Sequence, residues 1–201
     1  AVADRSEEKT GAAKTLVMTL MGQLADPENI DIVLGEINAP ESMHKDEAGR
    51  ILTALGANAV DDLLDQLRTN EDSNERVRIM HLIASLKEKA LPVIISRIEK
   101  EAPWYYLRNL AYLLGQIGNE DSAQVLAPLL THRHDKVCQE ALKSLSKIGG
   151  KHRGSILLAA LREADEDFKA NIVEVLGQSK YLDAVPALID LLKNRPLIAS
   201  A

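Results

Sequence analysis

Aromatic side chains are scarce in this sequence: one Trp, four Tyr and one Phe, 3% of 201 residues. An interior with so few rings must be filled by Leu, Ile, Val and Ala, a palette that suits closely packed helices. Cysteine is nearly absent. Cys138 stands alone, which excludes an internal disulfide and is neutral on redox compartment. No apolar run approaches the roughly 18 residues needed to cross a bilayer. Residues 1–15 do not read as a secretory signal, so a soluble, cytoplasmic protein is expected. A surplus of positive charge is missing too. The net charge of -6 and a pI near 5.4 argue against a partner held through a phosphate backbone. Neither a nucleic acid nor a membrane is expected as partner.

What the sequence does have is repetition. Leu24, Leu55, Leu86, Ile117 and Ile148 recur every 31 residues, and Ser179 takes the sixth place. Three positions before them stand Met21, Leu52, Ile83, Leu114, Leu145 and Leu176. Four positions earlier again stand Val17, Ala48, Ile79, Leu110, Ala141 and Ile172. Steps of three and four put these residues on one face of a helix. A second stripe, Val33, Leu64, Ile95, Leu126, Leu157 and Leu188, keeps the same period. Each unit therefore reads as two amphipathic helices. The units fall at about 4–40, 41–72, 73–102, 103–133, 134–164 and 165–195. A further column, Gly22, Thr53, Ala84, Gly115, Ser146 and Gly177, is small throughout, which predicts that another helix packs against it.

The joints carry turn chemistry. Gly56, Gly118 and Gly149 follow the first helix of their units, where a left-handed C-cap is wanted. Asp26-Pro27, residues 119–122 (NEDS) and residues 165–167 (DED) offer N-cap oxygens. Pro92 and Pro186 stand near the start of second helices, where proline is tolerated. Pro128 lies deeper and is expected to bend its helix.

The stretch YLRNLAYLLGQIG at 106–118, with VCQEALKSLSKIG at 137–149, FKANIVEVLGQS at 168–179 and AVPALIDLL at 184–192, resembles the short bacterial HEAT-like repeats of the bilin-lyase type. The resemblance implies an all-α fold, a right-handed α-solenoid of about six two-helix repeats forming one domain over 1–201. It also implies second helices that line a concave side. Their expected exposed positions are Asp31, Asp62, Gln66, Gln124, Thr131, Ser155 and Arg162, with Arg97 and Lys100 midway. A fold of this kind offers a long surface rather than a central cavity. The expected function is a non-enzymatic scaffold or regulatory adaptor that binds protein, with no cofactor. The alternative is a bilin-lyase-like protein that handles a tetrapyrrole. The start on Ala and the absence of a polar capping helix after the last repeat read as a piece of a longer array, open to self-association at its terminal repeat.

Four of the six aromatics fall at Trp104, Tyr105, Tyr106 and Tyr112. Tyr106 aligns with Val137 and Phe168 and belongs to the core. Tyr112 aligns with Thr19, Arg50, His81, Lys143 and Glu174, all polar, and faces outward. Tyr105, Arg108 and Tyr112 thus form an exposed stripe, with Asn109 alongside and Trp104 at its end or in a seam with the preceding unit. Trp, Tyr and Arg dominate interface hot spots. Asp61, Asp62 and Asp65 make an acidic patch on one second helix. His132, His134 and Asp135 are the most ligand-like string, but zinc needs about four converging ligands. His152 is a helix length of about 20 Å away. No metal site is expected, and no catalytic residue: no His-Glu pair occurs, and Cys138 is expected to be a partly buried structural cysteine.

Overall fold

A computed structural model describes residues 26–39, 41–98 and 102–194, and the expectations placed on residues 1–25, Lys100 and 195–201 lie outside them. Among the described residues every regular element is a helix. The chain divides into two compact units between Arg97 and Ile98.

In the first unit, α1 (Pro27–Asn38) packs on α2 (Lys45–Thr69), and α2 packs on α3 (Ser73–Ser85). A 3-10 turn over Lys87–Ala90 leads into α4 (Leu91–Ser96), which also packs on α2. Asp26 caps α1 as expected, its carboxylate accepting the Glu28 N–H at 3.0 Å with Pro27 next in the helix. Asp72 does the same for α3, accepting from Asn74 and Glu75. Those two hydrogen bonds hold its carboxyl below the usual carboxylate range.

The second unit contains α5 (Trp104–Ile117), α6 (Ala123–Leu126, continuing as a 3-10 turn to Thr131), α7 (Asp135–Ile148), α8 (Arg153–Glu163), α9 (Glu166–Gln178) and α10 (Val185–Asn194). The most extensive packing joins α5 to α7. Pro128 changes the winding of its helix. It lacks the N–H that would bond to Gln124, so α6 tightens into 3-10 winding from Ala127. The 119–122 stretch is not a cap. Asn119 and Ser122 bond to each other across the turn, and Ser122 makes no side-chain bond to the helix it precedes.

The first apolar stripe forms the core: Ile79, Ile83, Leu110, Leu114, Ala141, Leu145, Ile172 and Leu176 are all buried. The second holds at Leu64, Leu126 and Leu157 but fails at Ile95, which is exposed while Ile94 is buried. The 3-10 turn ahead of α4 winds at three residues per turn, which displaces the inward face by one residue. In the small column, Gly115 behaves as expected. A Cβ there would lie 2.7 Å from Ser144 Cβ and 2.9 Å from Ser144 Cα, so only glycine lets α5 lie this close to α7. Gly177 has open space instead, since nothing approaches it within 4 Å.

The joints between helices, including the kink at Gly56 that divides α2, carry the period as backbone conformation. Residues 56, 87, 118, 149 and 180 are spaced by 31, and four of them have positive φ: Gly56 (45°), Lys87 (54°), Gly149 (71°) and Lys180 (51°). Gly118 is the exception, with φ -68°. Its glycine is needed for a different reason: a Cβ would clash with the Leu114 carbonyl oxygen and fall 2.6 Å from Ser122 Oγ. A left-handed lysine costs about 1–2 kcal/mol, against roughly 0.5–1 kcal/mol for the greater entropy of glycine. Lys87→Gly and Lys180→Gly are therefore each expected to stabilise the protein by about 0.5–1 kcal/mol in urea unfolding, whereas Gly149→Ala is expected to cost about 1–3 kcal/mol. A lower midpoint for Lys87→Gly would show that its joint does not need the left-handed conformation.

Candidate functional site

Helix α5 buries residues over most of its circumference, including Tyr106, Leu107, Leu110, Leu113 and Leu114. Tyr105, Arg108, Tyr112 and Gln116 remain, spaced by three and four along the outer face. Tyr105 is 37% exposed and Trp104 is 38% exposed; Tyr112 and Arg108 are half-buried. Tyr106 goes to the core as its register requires.

Asn109 does not join the stripe. It is 4% exposed, turned into the α5–α7 contact where Glu140, one period later, is buried opposite. Arg108 reaches across this contact to Glu140 at 3.6 Å, and its Nη1 donates to Asn109 Oδ1 at 3.4 Å. The Arg108 side chain stays nearly half exposed, anchored by the buried carboxylate.

Trp104 packs onto α7. Its ring stacks on His134 with centroids 4.0 Å apart and planes 12° from parallel, and it meets Tyr105 edge-on at 6.1 Å. Lys136 Nζ stands 5.5 Å from the same indole, within cation–π range. Sequence reasoning missed His134 and Lys136 as neighbours of this stripe, although the signal was present. They lie one period after Pro103 and Tyr105, and adjacent first helices place such residues side by side.

The histidine string serves the turn itself. His132 Nδ1 accepts the His134 N–H at 3.0 Å, and His134 Nδ1 accepts the Lys136 N–H at 3.3 Å to cap α7. Burial, aided by Arg133, pushes His132 below its ordinary value. Cys138 is buried, donates its thiol to the His132 carbonyl at 2.9 Å, and is raised above the ordinary thiol range by that burial. It thus braces the loop and is disfavoured as a thiolate. Among the described residues no group of three His, Cys, Asp or Glu is arranged to hold a metal ion.

A groove of about 380 Å³ runs between α6 and α8, lined by Gln124, Pro128, Thr131, Ser155, Ile156 and Glu163 among others. Gln124, Thr131 and Ser155 are three of the positions expected to be exposed on second helices. On α10 the residues Leu182, Val185, Ile189 and Leu192, counted from the turn before it, leave an apolar stripe open; Leu182 is 78% exposed and Leu192 74%. Leu130 and Leu161, in the same column as Leu192, are buried.

The acidic patch of the first unit is partly neutralised. Asp61, Asp62 and Asp65 are exposed on the second half of α2, but Arg97 forks between two of them, 2.6 Å from Asp61 and 2.7 Å from Asp65. Both contacts hold the guanidinium firmly protonated. Asp62 is left beside them, raised above the usual carboxylate range by burial and then by the charges of Asp61 and Asp65. A carboxyl raised on folding is a penalty in full above its folded pKa and none below its unfolded one. Asp62→Asn is thus expected to raise stability slightly at pH 7, by no more than about 0.5 kcal/mol. The gain should vanish as pH falls through the carboxylate range. Arg97→Gln should cost about 1 kcal/mol at low salt and less at about 1 M NaCl, since it leaves three acids together. Thermal melts across pH and salt read both; an Arg97→Gln cost unchanged by salt would rule out the electrostatic account.

Residues 91–162 match the family model for HEAT repeats, and this stretch of the chain carries HEAT repeats. No curated protein matches the chain.

Proposed function

We propose that this HEAT-repeat protein is a non-enzymatic scaffold, a six-repeat α-solenoid that holds partner proteins on the outer faces of its helices. The observation that carries the proposal is the surface of α5. In a chain with so few aromatics, Trp104 and Tyr105 are more than a third exposed, beside Arg108 and the half-buried Tyr112, while the other large apolar side chains of that helix are covered. Aromatic and arginine side chains are the usual anchors of protein interfaces. Arg108 is also held in place by Glu140, so less of its freedom is lost on binding. The tetrapyrrole reading has less behind it, because His134 already covers one face of the indole.

Tyr105→Ala/Tyr112→Ala is expected to leave helicity unchanged, shift the melting temperature by no more than a few degrees, and abolish capture of a partner in affinity purification from the native lysate. A large drop in melting temperature would show that the rings serve packing instead.

Self-association belongs to the same proposal, supported by the open apolar stripe on α10. Sedimentation velocity is expected to show a concentration-dependent dimer that Ile189→Glu removes. A monomer at all concentrations would exclude it.

A further inference from the structure

Resting on that reading, we infer that the outer face of α5 and α7 docks a short acidic segment of a partner protein. The two helices run side by side, and the 31-residue period sets which residues are lateral neighbours. Lys147 donates to Gln116, and Lys136 lies over the Trp104 ring. The same register puts Lys143 alongside Tyr112. One edge of the strip is therefore Lys136, Lys143 and Lys147, all exposed, and the other is Tyr105, Arg108 and Tyr112, with Arg133 at its end.

Its charge is one-sided. Helix α5 has no acidic residue, and α7 has only Asp135 and Glu140. Glu140 is buried and already committed to Arg108. Among the described residues no carboxylate is within ion-pairing distance of Arg133, Lys136, Lys143 or Lys147. A protein of net charge -6 thus presents a cationic, aromatic strip whose lysines are paired with no carboxylate among the described residues. Such a strip is complementary to carboxylates interspersed with aliphatic side chains, which would lie on Tyr105 and Trp104.

Its size and borders favour a short peptide over a polyphosphate. From Lys136 to Lys147 the rise along α7 is roughly 16 Å at 1.5 Å per residue, the reach of about five extended residues. The next first helix, α9, exposes Asp167 and Glu174 in the columns of Lys136 and Lys143. Those acids flank the strip and confine an anion to the length of α7, which a segment of about five residues matches and a long phosphate backbone overruns.

The test uses the full chain and a fluorescein-labelled peptide of about 12 residues repeating Glu-Glu-Leu-Asp, read by fluorescence anisotropy at about 50 mM NaCl. Saturable binding is expected, weakened by about tenfold or more at 0.5 M NaCl and by a similar factor in Lys136→Glu/Lys143→Glu. Lys136→Gln/Lys143→Gln, which adds no negative charge, should lie between, with unchanged circular dichroism for both variants. Absent binding, or binding equal in wild type and the Lys136→Glu/Lys143→Glu variant, overturns the inference. So does an oligouridine that binds the same lysines more tightly than the peptide, which would make the strip a nucleic-acid surface. If the peptide fails while capture of a partner still depends on Tyr105 and Tyr112, the scaffold reading stands and only the acidic partner falls. If neither is seen, both fall.

Discussion

The close contact of α5 with α7 at Gly115 and Ser144 governs much of what lies around it. With a Cβ at Gly115 only 2.7 Å from Ser144 Cβ, any larger residue would push the helices apart. Their proximity is what lets Arg108 reach Glu140, Lys147 reach Gln116 and Trp104 stack on His134. All three are contacts between residues 30 to 32 apart, so a single backbone approach sets a whole row of side-chain pairs. The cationic strip exists only because two first helices lie within reach of each other.

Both units handle buried or crowded charge by pairing it across neighbouring helices. Arg97 is shared by two aspartates of α2, and Glu140 is covered by Arg108. The results differ in sign at the surface. In the first unit the cation is consumed and Asp62 is left with extra negative charge. In the second the buried carboxylate is consumed and the lysines of α7 are left unbalanced. A net charge of -6 conceals both outcomes, because it is a sum over the whole chain.

The joints show the repeat at the level of the backbone. Four of five positions spaced by 31 residues take a positive φ, yet two of those four are lysine. The geometry of helix, left-handed joint and helix is therefore more regular than the residues that adopt it. Glycine marked the joint at Gly56 and Gly149 and could not have marked it at Lys87 or Lys180. At Gly118 the residue type pointed to the right place for a different reason, steric room beside the Leu114 carbonyl and Ser122.

The sequence by itself determined the helices, their inward faces and their period, because amphipathic spacing and repetition are local properties that one chain displays in full. Burial of Tyr106 and the outward position of Tyr105 and Arg108 followed from that register alone. Only the tertiary structure decided which helix covers which margin. Asn109 lies one step round from the exposed stripe, and its burial depends on how closely α7 approaches. Ile95 turned outward because a 3-10 turn shifted the phase of its helix. Trp104 found its partner in His134, and the acidic patch lost two carboxylates to Arg97, through contacts between residues 30 to 36 apart. Periodicity fixes the direction in which a side chain points; what stands there is set by the neighbouring helix.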